Sequence, residues 1–299
     1  MTTRPLPRQC PVCSGTVRKK FRNGPHARPD AKCPQCGSLE RHRFLALLLR
    51  WAAPDLVQAG AILDVAPSNA MTPLLEALDA RHVIRADLDP AADGRQIDLQ
   101  ASLTGLPLAD DSVDVLLCYH VLEHIPDDRA AIGEIARVLS ARGIAYLQVP
   151  WRPGVPTDED PTADVETRLA RFGQANHVRW YGDDFEDRLV AGGLDVCRVL
   201  PSDLLSEDQC LLYGIKSDEA MWLARSARGG APGRMRDLSA LAAPGLVDPR
   251  VAELEQRLEK MRASRDAAVA RHEALLARWP LRLVVRLRRA LRHRISARR

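Results

Sequence analysis

Four cysteines near the start of the chain are spaced as metal ligands. Cys10, Cys13, Cys33 and Cys36 form two Cys-x2-Cys pairs separated by nineteen residues. Each pair can bind a metal from a tight turn, and together they supply the four thiolates of a tetrahedral site. Four soft ligands with no open position predict a structural zinc. The alternative is two coincidental thiol pairs, but a fifty-residue segment with few apolar residues needs such a cross-link to fold.

Two histidines and a glutamate are candidates for proton transfer. His120 and Glu123 lie in the run Tyr-His-Val-Leu-Glu-His, directly after an apolar segment, and His177 lies in a later polar segment. An imidazole can take a proton from a hydroxyl near neutral pH, and Glu123 could orient His120 or a substrate hydroxyl. The alternative is a structural corner in which Glu123 and His124 satisfy backbone groups.

The segment from Asp110 to Pro150 positions these residues. Val113 to Cys118 is long enough for one buried strand and too short for a buried helix. Asp127 and Asp128 then offer an N-cap and a first-turn acid, and Gly143 is predicted to end the helix before a second buried strand from Ile144 to Val149. This strand–loop–helix–strand unit is typical of a parallel sheet, whose ligands bind at the carboxyl ends of the strands.

Two further strands are predicted before this unit, each ending near an acid. Ala61 to Val65 contains Asp64, and Thr72-Pro73 then offers an N-cap and a first helical residue. His82 to Ala86 is followed by Asp87, with Asp89 as a nearby competitor. A turn aspartate that only caps a loop is the alternative for Asp87.

The runs LDVAPSNA, LPLADDSVD, HVLEH and RVLSARG resemble class I methyltransferases that use S-adenosylmethionine, in the group often labelled type 11. The resemblance extends from Cys10 to about Ile215. It implies an α/β fold with a Rossmann-like seven-stranded methyltransferase sheet, to which the residue patterns add an N-terminal zinc ribbon and a C-terminal extension that is helical or a coiled coil. It also implies that Asp87 binds the cofactor ribose and that Asp98 and Leu99 meet the adenine. The cofactor-binding residues expected on this basis are Asp64, Ala66, Pro67, Ser68, Asp87, Asp98, Leu99 and Tyr119.

The first bend of the sheet departs from the family pattern. Ala66, Ser68 and Ala70 stand where this family usually has glycines. A residue with a Cβ takes positive φ less readily and keeps the backbone further from a ligand. Pro67, Ser68 and Asn69 are good turn residues and favour an alternative turn. The other explanation is a degenerate domain that no longer binds cofactor.

The segment after Pro150 interrupts the repeating pattern. It is rich in Pro, Asp and Glu and then reads FGQANHVRWYG. Insertions at this place commonly form the acceptor pocket in the family that the chain resembles. Asn176 replaces an acid of that pattern, which leaves an acid–histidine pairing of His177 in doubt. Leu194 to Val199 and Gln209 to Ile215 are predicted as the last two strands, the second antiparallel.

The predicted organisation is a zinc ribbon with a connecting helix (1–50), a methyltransferase domain (51–216), a linker (217–248), a helix or coiled coil (249–279) and a basic amphipathic tail (280–299). Residues 1–50 carry eleven Lys and Arg against two acids, and residues 278–299 carry nine Arg and no acid. Heptad spacing over 251–279 suits a homodimer, with a lone helix as the alternative. The composition of the tail suits an anionic membrane surface. The tail also weakly resembles the basic tails of bacterial surface-polysaccharide enzymes, which implies contact with glycan-synthesis enzymes. No secretory signal or membrane span is recognised, which predicts a cytoplasmic protein that is either free or peripheral to the inner face of the membrane.

Three functions are compatible with the sequence. The first is an S-adenosylmethionine-dependent O-methyltransferase acting on a saccharide or small molecule, with a sugar of a surface-polysaccharide precursor as the favoured acceptor. The second is a zinc-ribbon RNA methyltransferase. Nucleic acid is the less favoured partner, because the central part of the chain is acidic and only 4% of residues are aromatic. The third is a non-catalytic scaffold in a membrane-associated glycan assembly.

Overall fold

The computed structural model of the 299-residue chain describes residues 7–18, 20–52, 57–58, 60–89, 91, 94–227 and 233. The predicted coiled coil (249–279) and basic tail (280–299) lie outside the described residues. The strands are β1 (Arg8–Gln9), β2 (Thr16–Val17), β3 (Ala61–Val65), β4 (His82–Asp87), β5 (Leu99–Gln100), β6 (Val113–Tyr119), β7 (Leu139–Gln148), β8 (Asp158–Glu159), β9 (Arg179–Trp180), β10 (Leu194–Val199) and β11 (Met221–Ser226). The helices are α1 (Glu40–Ala52), α2 (Thr72–Ala77), α3 (Asp128–Val138), α4 (Val165–Phe172), α5 (Phe185–Ala191), α6 (Pro201–Leu204) and α7 (Glu207–Tyr213), with 3-10 turns at Pro25–Ala27 and Leu122–His124.

Seven of these strands form one mixed sheet in the order β10-β11-β7-β6-β3-β4-β5. The five strands from β5 to β7 in this order pair in parallel. β11 is antiparallel to both of its neighbours, β7 and β10. The predicted Rossmann-like sheet with an antiparallel last strand is therefore confirmed. The order of the chain reverses between β3 and β6, which is where a sheet of this kind binds its ligands.

Both faces of the sheet are covered, as the nearly continuous apolar strands require. On one face, α1, α2 and the cysteine segment pack over Ile62 and Val115. On the other face, α3 and α5 pack over Leu63 and Leu116. Successive side chains of a strand point to opposite faces, so β3 and β6 contribute to both cores. These two central strands are thereby fixed most firmly, and their carboxyl ends carry the candidate site.

The last strand differs from its predicted position. Gln209 to Ile215, predicted as a strand, lies largely in helix α7, because Ser206 caps its N-terminus and Gly214 ends it with a φ of +60°. The antiparallel strand is instead β11, which lies within the range predicted as linker. Its first four residues are buried between β7 and β10.

Two helix boundaries also differ from the predictions. The carboxylate of Asp127 caps α3 as expected, accepting a hydrogen bond from the Ala130 amide at 3.0 Å. The helix ends at Val138 rather than at Gly143, because Leu139 already pairs with Val113 across the sheet. Thr72, predicted as an N-cap, is the first residue of α2.

The cysteine segment is joined to the sheet through the buried side chain of Arg43 on α1. Its guanidinium donates hydrogen bonds to the carbonyl oxygens of Ala31 and Ser38 at 2.9 and 2.8 Å. It also donates to the carbonyl oxygens of Tyr213 and Gly214, at the end of α7. One fully buried cation therefore satisfies four main-chain acceptors from two segments that are far apart in the sequence.

Replacing Arg43 by methionine should destabilise the protein strongly. The substitution keeps an apolar stem but leaves four buried carbonyl groups without their donor, at a cost of about 1–3 kcal/mol for each group that water cannot reach. We expect the free energy of unfolding, measured by urea denaturation, to fall by about 3–5 kcal/mol. Arg18→Met is the control, because Arg18 is exposed. Equal stability of the two variants would contradict the role given to Arg43.

Candidate functional site

A cavity of about 470 Å³ opens at the carboxyl ends of β6 and β7. The segment between β7 and α5, predicted to form the acceptor pocket, supplies much of its wall. The lining residues are His120, Gln148, Val149, Pro150, Trp151, Phe172, Gly173, Gln174, His177, Trp180, Lys216, Asp218, Glu219 and Ala220. The structure thus brings two of the predicted catalytic residues, His120 and His177, to one cavity at the expected edge of the sheet.

His120 and Glu123 form a hydrogen-bonded pair beside this cavity. His120 follows β6 with a φ of +54°, and its amide donates to the carbonyl oxygen of Gln148 at 2.8 Å. Its Nδ1 lies 3.1 Å from Oε1 of Glu123, which is fully buried. When Nδ1 carries the proton and donates to the carboxylate, Nε2 keeps its lone pair. Nε2 is buried and has no hydrogen-bond partner in the described part of the protein, so it is available to a bound molecule.

His177 reaches the same corner from the inserted segment. It is 4% exposed, and its ring lies edge-on to that of His124 with centroids 4.6 Å apart. Burial lowers the pKa of His177, and the nearby Glu123 opposes this change. Asn176 stands where the related pattern has an acid. In this structure the carboxylate that acts on His177 is that of Glu123, which comes from another part of the chain.

Arg179 joins the inserted segment to the 3-10 turn at Leu122–His124, a role that the run FGQANHVRWYG did not indicate. Its guanidinium is almost completely buried and donates to the carbonyl oxygens of Leu122, Ile125 and Pro126. Next to it, the Val178 amide donates to the carbonyl oxygen of Glu123 at 2.9 Å. These bonds place His177 against the 3-10 turn. Glu159, from the same inserted segment, pairs with Arg179 and Arg188.

The glycine-free bend after β3 adopts the left-handed conformation despite its alanine. Ala66 has a φ of +50°, and its amide donates to the carbonyl oxygen of Ala86 at 2.8 Å. Pro67 is buried, and Ser68 accepts hydrogen bonds from the two residues that follow Asn69. The bend therefore has the backbone path that glycine would favour, at a steric cost of about 1–2 kcal/mol for a residue with a Cβ.

Replacing Ala66 by glycine should stabilise the protein. Relief of the left-handed strain outweighs the extra entropy of glycine in the unfolded chain, and we expect a gain of about 0.5–1 kcal/mol in the free energy of unfolding. Chemical denaturation measures the change. Ala70→Gly is the matched control in the same bend, because Ala70 is not among the residues with positive φ and should lose stability. A loss of stability in both variants would show that Ala66 is unstrained.

Asp87 lies at the carboxyl end of β4, as predicted, but it is engaged by an arginine. One carboxylate oxygen accepts from the amide of Asp89 at 2.9 Å, and the other lies 3.0 Å from a guanidinium nitrogen of Arg95. Arg95 also donates to the carbonyl oxygen of Pro67 at 3.2 Å. Its side chain thus bridges the acid and the bend, which the sequence did not indicate. This second oxygen has no other donor among the described residues, so ribose hydroxyls that bind here would compete with Arg95.

The structure places the remaining predicted cofactor residues on or beside strands β3, β5 and β6. Burial raises the pKa of Asp64 to about 7, although Arg85 and Arg95 act in the opposite direction. The Asp98 carboxylate accepts from the Arg85 amide at 3.0 Å, and Leu99 begins β5 beside it. The Tyr119 hydroxyl points to Sδ of Met221 at 3.6 Å, so this ring packs into the sheet core.

The four cysteines form one cluster beneath α1. Sγ of Cys10 lies 3.7 Å from Sγ of Cys36, and Sγ of Cys13 lies 4.0 Å from Sγ of Cys33. Thiolates bound at about 2.3 Å around a tetrahedral zinc are separated by about 3.8 Å. All four sulfurs lie within 4.8 Å of one another. The sulfur positions therefore fit a four-coordinate metal.

Residues 63–147 match the sequence profile of the methyltransferase domain family. A protein of Mycobacterium tuberculosis (strain H37Rv) named "Probable S-adenosylmethionine-dependent methyltransferase" is 34% identical over 134 residues, which cover 40% of this chain and 47% of that protein. "Uncharacterized methyltransferase YcgJ" of Bacillus subtilis is 36% identical over 81 residues, covering 27% of this chain and 30% of that protein. The solved structure of YcgJ superposes with a TM-score of 0.43 at 18% identity, over 63% of this chain and all of that one.

The sheet order is that of the class I methyltransferase fold, and residues 63–147 within it match the methyltransferase domain family. The resemblance seen in the sequence is thereby confirmed at the level of the fold and of this domain. The chain spans about half the length of the first curated relatives that it matches. Within the described residues, no helix is both long enough and apolar enough to cross a bilayer.

Proposed function

We propose that the chain methylates a hydroxyl group of a sugar or a small polyhydroxylated molecule bound in the cavity. The observation that carries this proposal is Nε2 of His120, which is buried, unpaired within the described residues and located at the cavity wall. S-adenosylmethionine supplies the methyl group when it is bound. His120 then acts as the base for the acceptor hydroxyl, and the Glu123 carboxylate holds the ring in the required orientation.

The chemistry of the cavity wall supports a polyhydroxylated acceptor. Trp151, Phe172 and Trp180 provide flat apolar surfaces. Between them lie Gln148 and Glu219, each with a buried oxygen that lacks a hydrogen-bond partner among the described residues. The indole nitrogen of Trp180 is a buried donor that also lacks a hydrogen-bond partner among the described residues. Flat apolar surfaces combined with unpaired donors and acceptors suit a ring that carries several hydroxyl groups.

Cofactor binding through Asp87 gives the direct test of this proposal. A carboxylate that accepts hydrogen bonds from ribose hydroxyls contributes about 1.5–3 kcal/mol, so Asp87→Ala should weaken S-adenosylmethionine binding by about 10–100-fold in isothermal calorimetry. Asp89→Ala is the matched control, because Asp89 is an exposed acid two residues away that caps its own loop.

The outcomes separate the enzyme from the scaffold that the sequence also allowed. No heat from the wild-type protein at millimolar S-adenosylmethionine would mean that Arg95 keeps Asp87 from the cofactor and would overturn the proposal. Equal affinities of the two variants would remove Asp87 from the ribose site. Release of S-adenosylhomocysteine in the presence of a panel of sugars and hydroxy acids then identifies the acceptor class.

We also propose zinc as the occupant of the cysteine cluster, in a structural role. Four thiolates at tetrahedral spacing support this choice, and the described residues add no further Cys, His, Asp or Glu to the group. The nine arginines of residues 278–299 support a position near anionic lipids or glycan-synthesis enzymes, and the heptads of 251–279 support a homodimer. Both of these proposals rest on the sequence alone. A sugar of a surface-polysaccharide precursor would suit an enzyme held at that location.

A further inference from the structure

A carboxylate and two imidazoles meet directly beside the cavity. Glu123, His124 and His177 each offer one ligand atom, and these atoms all lie within 4.8 Å of one another. Two histidines and one carboxylate form a common binding set for divalent first-row metals such as Mn²⁺, Fe²⁺, Co²⁺ and Zn²⁺, and it leaves coordination positions open. This cluster is separate from the four cysteines, which use different residues and different ligand atoms.

The hydrogen bonds around the cluster leave its ligand atoms free for a metal. Nδ1 of His124 lies 3.1 Å from the carbonyl oxygen of Asn176, so that nitrogen donates and Nε2 keeps its lone pair. Such a bond from the second ring nitrogen to a backbone carbonyl is the usual way in which a protein orients a histidine ligand. Nδ1 of His177 is buried and has no partner within the described residues.

Glu123 offers the strongest sign of a missing partner. Its side chain is fully buried, and only Oε1 is bonded, to Nδ1 of His120. Oε2 has no hydrogen-bond donor among the described residues. A buried carboxylate oxygen without a hydrogen-bond donor destabilises the folded protein, and an ion is one of the few partners that can satisfy it. The same carboxylate can therefore bind a metal through Oε2 and hold His120 through Oε1.

We propose that Glu123, His124 and His177 bind one divalent transition-metal cation at the wall of the cavity. The two segments that carry these residues are locked together by the amide of Val178, which donates to the Glu123 carbonyl, and by Arg179. The three ligand atoms, which lie within 4.8 Å of one another, must approach to about 3.0–3.5 Å to share one ion at about 2.0–2.2 Å.

A metal at this position would narrow the acceptor class, an inference that rests on the proposed function. The open positions of the ion would bind two neighbouring oxygens of the acceptor, as in a vicinal diol or a hydroxy acid. A divalent ion also stabilises the negative charge that develops when His120 takes the hydroxyl proton. Acceptors with a single isolated hydroxyl should then be poor substrates.

Metal binding by the full-length chain, without cofactor or acceptor, tests the site. Protein with its cysteine cluster loaded with zinc is titrated separately with Mn²⁺ and with Co²⁺, by calorimetry and by metal analysis after removal of free ion. We expect one further ion per chain, with an affinity about 100-fold lower in Glu123→Gln and in His124→Ala. His82→Ala is the control, because His82 is an exposed histidine on β4 and should bind as the wild type does.

Metal binding measured in this way distinguishes a failure of the metal site from a failure of the proposed function. Absence of a further ion with both metals at millimolar concentration would overturn the metal site while leaving the assignment of His120 as base intact. Wild-type affinity in both variants would place the ion elsewhere and also overturn the proposal. Each variant is first compared with the wild type in thermal unfolding. The metal should raise the melting temperature of the wild type more than that of either variant, so a variant of reduced stability still reports on the site.

Discussion

His120→Asn is expected to lower the rate of methyl transfer by about 10²–10⁴-fold, the usual contribution of a positioned general base. The amide side chain of asparagine cannot take up the proton. Asparagine does tolerate the left-handed backbone that position 120 adopts, with a φ of +54°. The substitution therefore removes the base without straining the turn after β6. Release of S-adenosylhomocysteine with the acceptor identified by the sugar panel measures the loss.

Two further measurements separate a lost base from a damaged fold. The affinity for S-adenosylmethionine should be unchanged in His120→Asn, because His120 lies at the wall of the acceptor cavity. The melting temperature of His120→Asn should lie close to that of the wild type, because asparagine tolerates the left-handed backbone at this position. His82→Asn serves as the control for an exposed histidine. If His120→Asn turned over at the wild-type rate, the His120–Glu123 pair would have only a structural role, which is the alternative that the sequence allowed.

The sheet was predictable because its central strands carry strong local signals. β3 and β6 are short apolar runs buried on both faces, and the turn residues around them fix where they end. The error at the last strand has a physical cause as well. Gln209 to Ile215 is apolar enough for a strand, but Ser206 and Gly214 are helix caps whose effect outweighs that pattern. The true strand, β11, follows a polar stretch and becomes recognisable only from the neighbours that bury it.

The residues around the site were less predictable than the strands that carry them. His120 and Asp87 follow strands, so the parallel sheet places them at one edge. The contact of His177 with Glu123 depends on Arg179, which satisfies carbonyl groups more than fifty positions away in the chain. The bridge from Arg95 to Asp87 and to the Pro67 carbonyl likewise depends on the path of a loop. Arg179 lies in the run FGQANHVRWYG, but neither contact leaves a periodic signal in the sequence.

Loss of the metal from the cysteine cluster should have the largest effect on stability. A structural zinc contributes about 10–16 kcal/mol of apparent binding free energy in small domains that fold around it. Here Cys10 and Cys33 are buried in the same core as α1 and one face of the sheet. Damage to the cluster should therefore spread from the N-terminal segment to the packing of α1 on β3 and β6.

Cys33→Ser should accordingly bind no zinc at the cluster and melt about 10–20 °C below the wild type, the shift that corresponds to about 5 kcal/mol in a domain of this size. Zinc content measured by mass spectrometry and melting followed by circular dichroism give the two readouts. Cys210→Ser is the matched control, since Cys210 is also buried in this core but lies outside the cluster, and it should keep its zinc with a much smaller fall in melting temperature. The structural zinc would be contradicted if the wild-type protein were isolated without metal and had the same melting temperature as Cys33→Ser. The contacts of Arg43 with Tyr213 and Gly214 would then be left as the main link between the N-terminal segment and the methyltransferase domain.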